Sequence, residues 1–402
     1  MNWLSDRADD DLIILDADTS LTAADLAAAG QSARDSVAVG SAVVKVGETA
    51  SGIAASLVGL QGWARSVVFH HASVRPPREK HLDDSLSNGQ PPFDTRWVLY
   101  TSGTTGEPKP IFHTFGSLTK TVRPDPSHSR TWGLLYEPQR MAGLQVLAQV
   151  LVGGGQLVAP PTHFDVRKKV RFLRQYGVDS LSATPSLWRR ILQSPEAPGW
   201  RLKQITLGGE IADQRILDSL ALAFPGANIT HVFAATETGA VFSVKDGLEG
   251  FPQSYLEKKH GEMVLQVRGN LLYVQAPDLL SADEEGFVFT GDVVEVRSGR
   301  VFFKGRSSGV VNVAGAKVFP EEVEALLRSH PSVLEALVQP VPNTFSGSIL
   351  VAKVVPTSKA SPELAGELRL WLRSQAPSHW VPAKITLVEN LGATGNGKII
   401  RK

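Results

Sequence analysis

Tyr100-Thr101-Ser102-Gly103-Thr104-Thr105-Gly106-Glu107-Pro108-Lys109-Pro110 follows directly on the strand-like run at 97–101. Serine, threonine and glycine at the end of a strand offer hydroxyls and exposed backbone N–H groups on a turn, which lets a chain approach a polyphosphate closely. The spacing is not G-x-x-x-x-G-K-[ST], so this is not a Walker A loop. By composition alone it reads equally well as a plain surface turn, and the rest of the chain has to decide between the two.

Upstream, residues 11–16 read as a strand, and Thr22 caps a helix through Ala29, with Asp25 completing a T-x-x-D box. Ile53, Leu57 and Leu60 recur at helical spacing before the strand-like run 66–69. Residues 71–94 are rich in Pro, Ser, Asn and charge and read as a surface connection. Downstream, strand-like runs at 180–183, 204–207 and 228–233 alternate with helical patterns at 166–176 and 212–223. That alternation is the signature of layered α/β structure. After Met263 the pattern turns to short β runs such as 271–274 and 301–303. Beyond Arg306, Pro320-Glu321-Glu322 opens a helix carrying Val323, Leu326 and Leu327. Another helix, from Ser361-Pro362, carries Leu364, Leu368, Trp371 and Leu372. The expected organisation is a large N-terminal α/β domain with layered sheets over residues 1–306, and a small α+β domain over 307–402.

Acidic and basic residues nearly cancel in the 402-residue chain, at a net charge of +1, which excludes the basic excess that nucleic acid or an anionic membrane demands. With no cysteine there is no disulfide, thiolate metal site or cysteine nucleophile, and a reducing cytoplasm is the expected compartment. The start, Met1 to Arg7 and then Asp9-Asp10-Asp11, has no basic-then-apolar signal pattern. The most apolar stretch, 146–159, is broken by Gln149, Gly153, Gly154, Gly155 and Gln156, and no membrane span is expected.

Four further strings carry candidate chemistry: Phe233-Ala234-Ala235-Thr236-Glu237, Thr290-Gly291-Asp292, Lys304-Gly305-Arg306 continuing to Gly315 and Pro320-Glu321-Glu322, and Thr394-Gly395-Asn396-Gly397-Lys398. Taken singly, each has an ordinary reading as a solvated carboxylate, a turn aspartate or an exposed lysine. Together with 100–110 they resemble, in order, the motifs of the adenylate-forming superfamily: acyl- and aryl-CoA synthetases, peptide-synthetase adenylation domains and luciferases. The resemblance covers about residues 95–402. The chain is shorter at its N-terminal side than most such proteins and is similar in this to the compact o-succinylbenzoate–CoA ligases.

The resemblance implies an ATP-dependent enzyme that joins a carboxylic acid to AMP and then passes the acyl group to a thiol. Thr101, Ser102, Gly103, Thr104, Thr105, Gly106 and Lys109 would face the phosphates. Phe233 would lie against adenine, Thr236 would contact the α-phosphate, and Glu237 would hold Mg²⁺. Gly208-Gly209-Glu210 resembles the turn lining the adenine and substrate floor, although Glu210 alone reads equally as part of a strand-to-helix turn. Asp292 and Arg306 would take the ribose, and Lys398 would bridge the substrate carboxylate and the α-phosphate. Gly315 would let the thiol-bearing arm approach the backbone. The C-terminal domain is expected to be mobile and to rotate between the two half-reactions, about a hinge position that is Ser308 here instead of the usual Asp or Lys.

Ala234 replaces the family's glycine and would narrow the nearby acyl pocket, which Arg140 and Gly143 would also border. Amino-acid adenylation domains place an aspartate near the start of the region 136–144; its absence here points to an aromatic or short carboxylic acid. Arg140 either pairs with a carboxylate such as Glu137 or faces solvent, or it recognises a second polar group on the substrate. The acceptor is coenzyme A or, with the same thiol, the phosphopantetheine of an acyl carrier protein. A degenerate binding module is the reading from another class, against which stands the retention of Thr236, Glu237, Asp292, Arg306 and Lys398.

Overall fold

Thr22 makes the capping box that its spacing announces. Its side chain accepts from Asp25 N, while the Asp25 carboxylate accepts from the Thr22 backbone N–H at 3.0 Å and hydroxyl at 2.7 Å. The helix spans Ala23–Asp35, running past the expected end at Ala29. Gly30, inside it, is where a second helix, Ala50–Leu60, comes into contact. A Cβ on Gly59 would overlap the Gly30 carbonyl, so paired glycines let the two backbones touch. Ile53, Leu57 and Leu60 on this second helix are fully buried.

The structure is a computed structural model that describes the chain except residues 1–2, 5–6, 17–18, 47–48, 71–90, 102–108, 236–238, 262, 276–282, 344–346, 358–360, 362 and 393–402; for 43–46, 70, 101 and 109 it describes the backbone alone. Two compact units divide it. The first comprises Met1–Ala183, Ile191–Gly209 and Ala223–Ser243, the second Thr184–Arg190, Glu210–Leu222 and Val244–Lys402.

The first unit is built on two sheets. In the eight-stranded one the order is Gly239–Val244, Asn228–Ala235, Gln204–Gly208, Ser180–Ala183, Thr131–Leu134, Gln156–Val158, Leu12–Asp16 and Thr19–Thr22. Its strands from Asn228–Ala235 to Leu12–Asp16 run parallel. The other sheet holds Ala42–Val46, Ser66–His70, Arg96–Thr101 and Lys109–His113, the last pair antiparallel. One apolar core unites them: Ile13 and Ile14 from the first sheet, Val67, Trp97 and Leu99 from the second, and Leu26, Ile53, Leu57 and Leu147 from helices.

The second unit is β-rich at first. A six-stranded antiparallel sheet includes Met263–Arg268, Leu271–Gln275, Phe287–Arg297 and Arg300–Arg306. Beyond it come a hairpin, Val311–Val313 with Ala316–Val318, and a three-stranded sheet of Val333–Asn343, Gly347–Pro356 and Lys384–Leu387. Helices Pro320–Ser329 and Leu364–Gln375 accompany them. Pro320 takes the first helical turn, where its missing N–H costs nothing. Val318, Val323, Leu327, Val338, Leu350, Leu364, Leu368 and Leu372 form this region's own core.

Candidate active site

Chain order in the eight-stranded sheet reverses between Thr131–Leu134 and Ser180–Ala183. In open parallel sheets ligands bind outside the carboxyl ends of the strands at such a switch point. Three of the candidate segments leave the sheet at that edge. Residues 136–144 follow Thr131–Leu134; Gly208-Gly209 ends Gln204–Gly208; Phe233-Ala234-Ala235 ends Asn228–Ala235. Gly208 is paired in register with Val232, so the glycine turn and the aromatic residue are immediate neighbours.

Phe233 is half-buried and stacks on Phe242, with ring centroids 5.2 Å apart and planes 18° from parallel. Phe242 went unnoticed in the sequence because its strand, Gly239–Val244, lies beyond the motif. Ala234 is exposed, and Gly209 has φ +81°, the left-handed region that glycine enters freely. Thr236 and Glu237 lie outside the described residues. Glu210 has its Oε2 accepting from Ser186 N at 2.9 Å, at the start of helix Pro185–Gln193.

Arg140 immediately precedes helix Met141–Leu151, and its Nε donates to Glu137 Oε2 at 2.6 Å. Both side chains remain partly exposed, at 32% and 21%. Of the two readings of Arg140, the carboxylate pairing is the geometry seen. Gly143 has a packing reason of its own: a Cβ there would overlap the Glu137 carbonyl and lie 2.8 Å from Pro138 Cα. Gly143→Ala should therefore lower stability by about 1–3 kcal/mol through overpacking, read as a fall in Tm. Lost activity at unchanged Tm would make Gly143 a substrate contact instead.

The serine–threonine–glycine string connects two antiparallel strands, Arg96–Thr101 and Lys109–His113, with Thr101 opposite Lys109. Ser102, Gly103, Thr104, Thr105 and Gly106 lie outside the described residues, as do the side chains of Thr101 and Lys109. Burial raises the pKa of the Tyr100 hydroxyl, keeping it a neutral donor.

In the second unit Asp292 is not at a strand end, as Thr290-Gly291-Asp292 suggests, but inside Phe287–Arg297. Gly291, at φ +84°, bends the strand, and the pairing register slips just beyond, at Val293 and Val294, before pairing resumes. Arg306 stands directly opposite and donates through Nη1 to Asp292 Oδ1 at 3.1 Å and to the Thr290 carbonyl at 2.8 Å. A Cβ on Gly291 would lie 2.6 Å from Arg306 Nη2, so the glycine lets the guanidinium lie across the backbone. Burial pushes the Asp292 carboxyl above its ordinary value, with Arg306 and Thr290 pulling the other way.

Lys304 pairs with Glu322, and Gly305 packs so closely on the Glu321 carboxylate that a Cβ would come within 2.7 Å of it. Helix Pro320–Ser329 is thereby moored to strand Arg300–Arg306, while Ser308 is exposed in the short turn Ser307–Gly309. Ala314 and Gly315, at φ +50° and +89°, make the two-residue turn of the hairpin, with Gly315 N donating to Asn312 Oδ1 at 2.8 Å. Among the described residues, its chain neighbours aside, nothing lies within 4 Å of where a Gly315 Cβ would sit. Lys398 lies outside the described residues. Among the described residues no group of three or more His, Asp or Glu could hold a metal ion, and no helix is long and apolar enough to cross a membrane.

The first unit carries a glycine turn, a stacked aromatic and a candidate acyl segment at one carboxyl edge of its parallel sheet, and the second carries a partly buried Asp292 paired with the exposed Arg306; the class these features fit is the adenylate-forming ligases. The chain is a member of the AMP-binding enzyme family, whose model matches residues 9–286, and the family's C-terminal domain matches 322–398. A D-alanine–D-alanyl carrier protein ligase of Staphylococcus aureus is 27% identical over 343 residues, 77% of this chain and 70% of the relative. In fold the chain is similar to a variant of E. coli MenE with bound OSB-AMS, at TM-score 0.75 and 19% identity, covering 94% of this chain and 91% of the other. It is equally similar to the anthranilate CoA ligase AuaEII in complex with anthranoyl-AMP, at TM-score 0.75 and 16% identity over 98% and 93% of the two chains. The protein is thus an AMP-forming ligase of mixed α/β structure, with a large N-terminal domain built on sheets and a smaller C-terminal domain.

Proposed function

We propose that this ligase activates a small aromatic or short carboxylic acid with ATP and hands the acyl group to a thiol, coenzyme A first among acceptors. The observation that carries the reading is the meeting of 136–144, Gly208-Gly209 and Phe233-Ala234 at one carboxyl edge of the parallel sheet. The acid carboxylate and the α-phosphate repel each other, so the protein must supply cations and orientation. In this reading the Ser102 to Thr105 loop, Lys109 and Thr236 bind the phosphates, Phe233 the adenine, Asp292 and Arg306 the ribose, and Lys398 sits at the reacting carboxylate. Glu237 would hold Mg²⁺, which offsets polyphosphate charge when bound. Residues 307–402 act as a lid whose pivot is the turn at Ser307–Gly309, and Gly315 then faces the thiol arm. A cytoplasmic location suits a chain without cysteine.

A second acceptor, the phosphopantetheine of a carrier protein, is favoured by the similarity to the carrier protein ligase of S. aureus. The test is ATP–pyrophosphate exchange across a panel of acids, followed by thioester formation with coenzyme A or a holo-carrier protein. Exchange with benzoate-like or short acids and thioester formation on coenzyme A is the expected result. Exchange only with amino acids would overturn the substrate reading, and none with any acid the enzymatic one. Within the same panel, Arg140→Ala should raise KM for a hydroxylated or dicarboxylic acid well above that for benzoate if Arg140 exchanges Glu137 for substrate. Equal effects on both acids would leave Arg140 with Glu137 alone.

A further inference from the structure

A buried ion-pair cluster in the second unit belongs to none of the motifs. Asp213 lies just past the glycine turn and caps helix Gln214–Ala223, its Oδ1 accepting from Ile216 N at 3.1 Å. Its Oδ2 accepts from two guanidinium groups, Arg189 Nη2 at 2.6 Å and Arg328 Nε at 3.1 Å. All three side chains are nearly buried, at 11% for Arg189, 14% for Asp213 and 13% for Arg328. Arg328 belongs to helix Pro320–Ser329 and also faces Glu324 at 3.8 Å. Glu324 in turn accepts from Val338 N at 2.9 Å. Beside the cluster, Arg215 donates to the carbonyls of Arg328 and His330.

Such a cluster is an expensive way to hold three helices together, since well-packed apolar side chains do as well or better. What it adds is direction and reversibility. If Arg328 withdraws, Asp213 keeps Arg189 and Ile216 N, and Arg328 keeps Glu324, so neither charge is stranded. Asp213 is also tied to the glycine turn by a short stretch whose Glu210 fixes the start of the helix carrying Arg189.

We propose that Asp213 is a positioning residue for the ligase reaction: a latch that holds helix Pro320–Ser329 against the segment continuing from Gly208-Gly209 in one half-reaction and releases Arg328 in the other. This rests on the two-step reading above. The test uses the whole 402-residue chain with Arg328→Met, which keeps the apolar stem without the charge, and Arg328→Lys, which keeps charge. Adenylate formation is followed in a single turnover, and thioester formation is started from preformed acyl-adenylate. The expected result is that the two rates move in opposite directions in Arg328→Met, their ratio changing about tenfold, as a coupling of ordinary size would give. Arg328→Lys should fall between the variant and the wild type. Amide hydrogen exchange should quicken in residues 320–330 and stay unchanged in strands 333–343 and 347–356. Rates that fall by the same factor, or do not change, would overturn the latch, as would unaltered exchange. A wild type inactive with every acid would defeat the ligase reading by itself, leaving exchange to decide whether Arg328 holds the helix.

Discussion

Lys398→Ala should abolish adenylate formation from free acid and ATP, by about 100–1000-fold in kcat, the effect of removing one charge-stabilising donor from a reacting centre. The size follows from what the reaction demands: two anions must come into contact, and the resemblance assigns Lys398 the position between them. The fold should survive, because among the described residues the buried C-terminal core runs from Val311 to Leu372 and is built of apolar side chains that this substitution leaves in place. Thioester formation from preformed acyl-adenylate should stay near the wild-type rate, since no phosphate attack is needed there. The converse variant is Gly315→Leu, which should keep acid-dependent pyrophosphate release and lose thioester formation. A side chain at φ +89° is strained by about 1–2 kcal/mol. Gly315→Ala therefore carries the strain without the bulk and should retain more thioester formation than leucine. Undiminished thioester output from free acid in Lys398→Ala would mean that the terminal motif is misassigned. Equal loss of both half-reactions in Gly315→Leu would count against a site used in two states.

What the sequence made legible was local. The capping box of Thr22 and Asp25, the proline at the start of Pro320–Ser329 and the strand–helix alternation all depend on residues a few positions apart. That alternation announced layered α/β structure, whereas the parallel pairing and the carboxyl edge at which the candidate segments gather came only with the structure. What stayed hidden depends on contacts between distant residues or on a backbone detail. The first helix was expected to end at Ala29, whereas it continues through Gly30, whose partner Gly59 lies on another helix. Asp292 read as a strand end because Gly291 marks a turn and a bulge alike, and only the resumed pairing with Arg300–Arg306 separates them. Gly143 read as a pocket residue, whereas its contact with the Glu137 carbonyl is invisible in a string of small residues. Asp213 lay unremarked inside the helical pattern at 212–223, and nothing local points to its bond to Arg328, 115 positions away.

Asp292→Ala should raise the KM for ATP about 100-fold or more, through loss of two charge-assisted hydrogen bonds to the ribose hydroxyls at about 1.5–3 kcal/mol each. Asp292→Asn should weaken binding less, because the amide oxygen still accepts without the charge. The same substitutions should not destabilise the protein. Burial holds the Asp292 carboxyl above its ordinary pKa of 3.8. A carboxyl raised in this way binds its proton more tightly folded than unfolded. Its contribution to stability is therefore full below 3.8 and is lost as pH rises through the folded value. At neutral pH the ionised Asp292 is a net cost that Arg306 only partly offsets, and Arg306, at 54% exposure, loses little when its partner is removed. Asp292→Asn should accordingly unfold at or above the wild-type Tm near pH 7, the difference shrinking as pH falls through the folded pKa. Thermal unfolding across about pH 3–8 beside ATP titrations reads both effects on one variant. A Tm that falls together with ATP affinity would make Asp292 a structural partner of Arg306. An unchanged requirement for ATP would remove it from the nucleotide site. Opposite signs for the two are what a charge kept in place for a ligand should show.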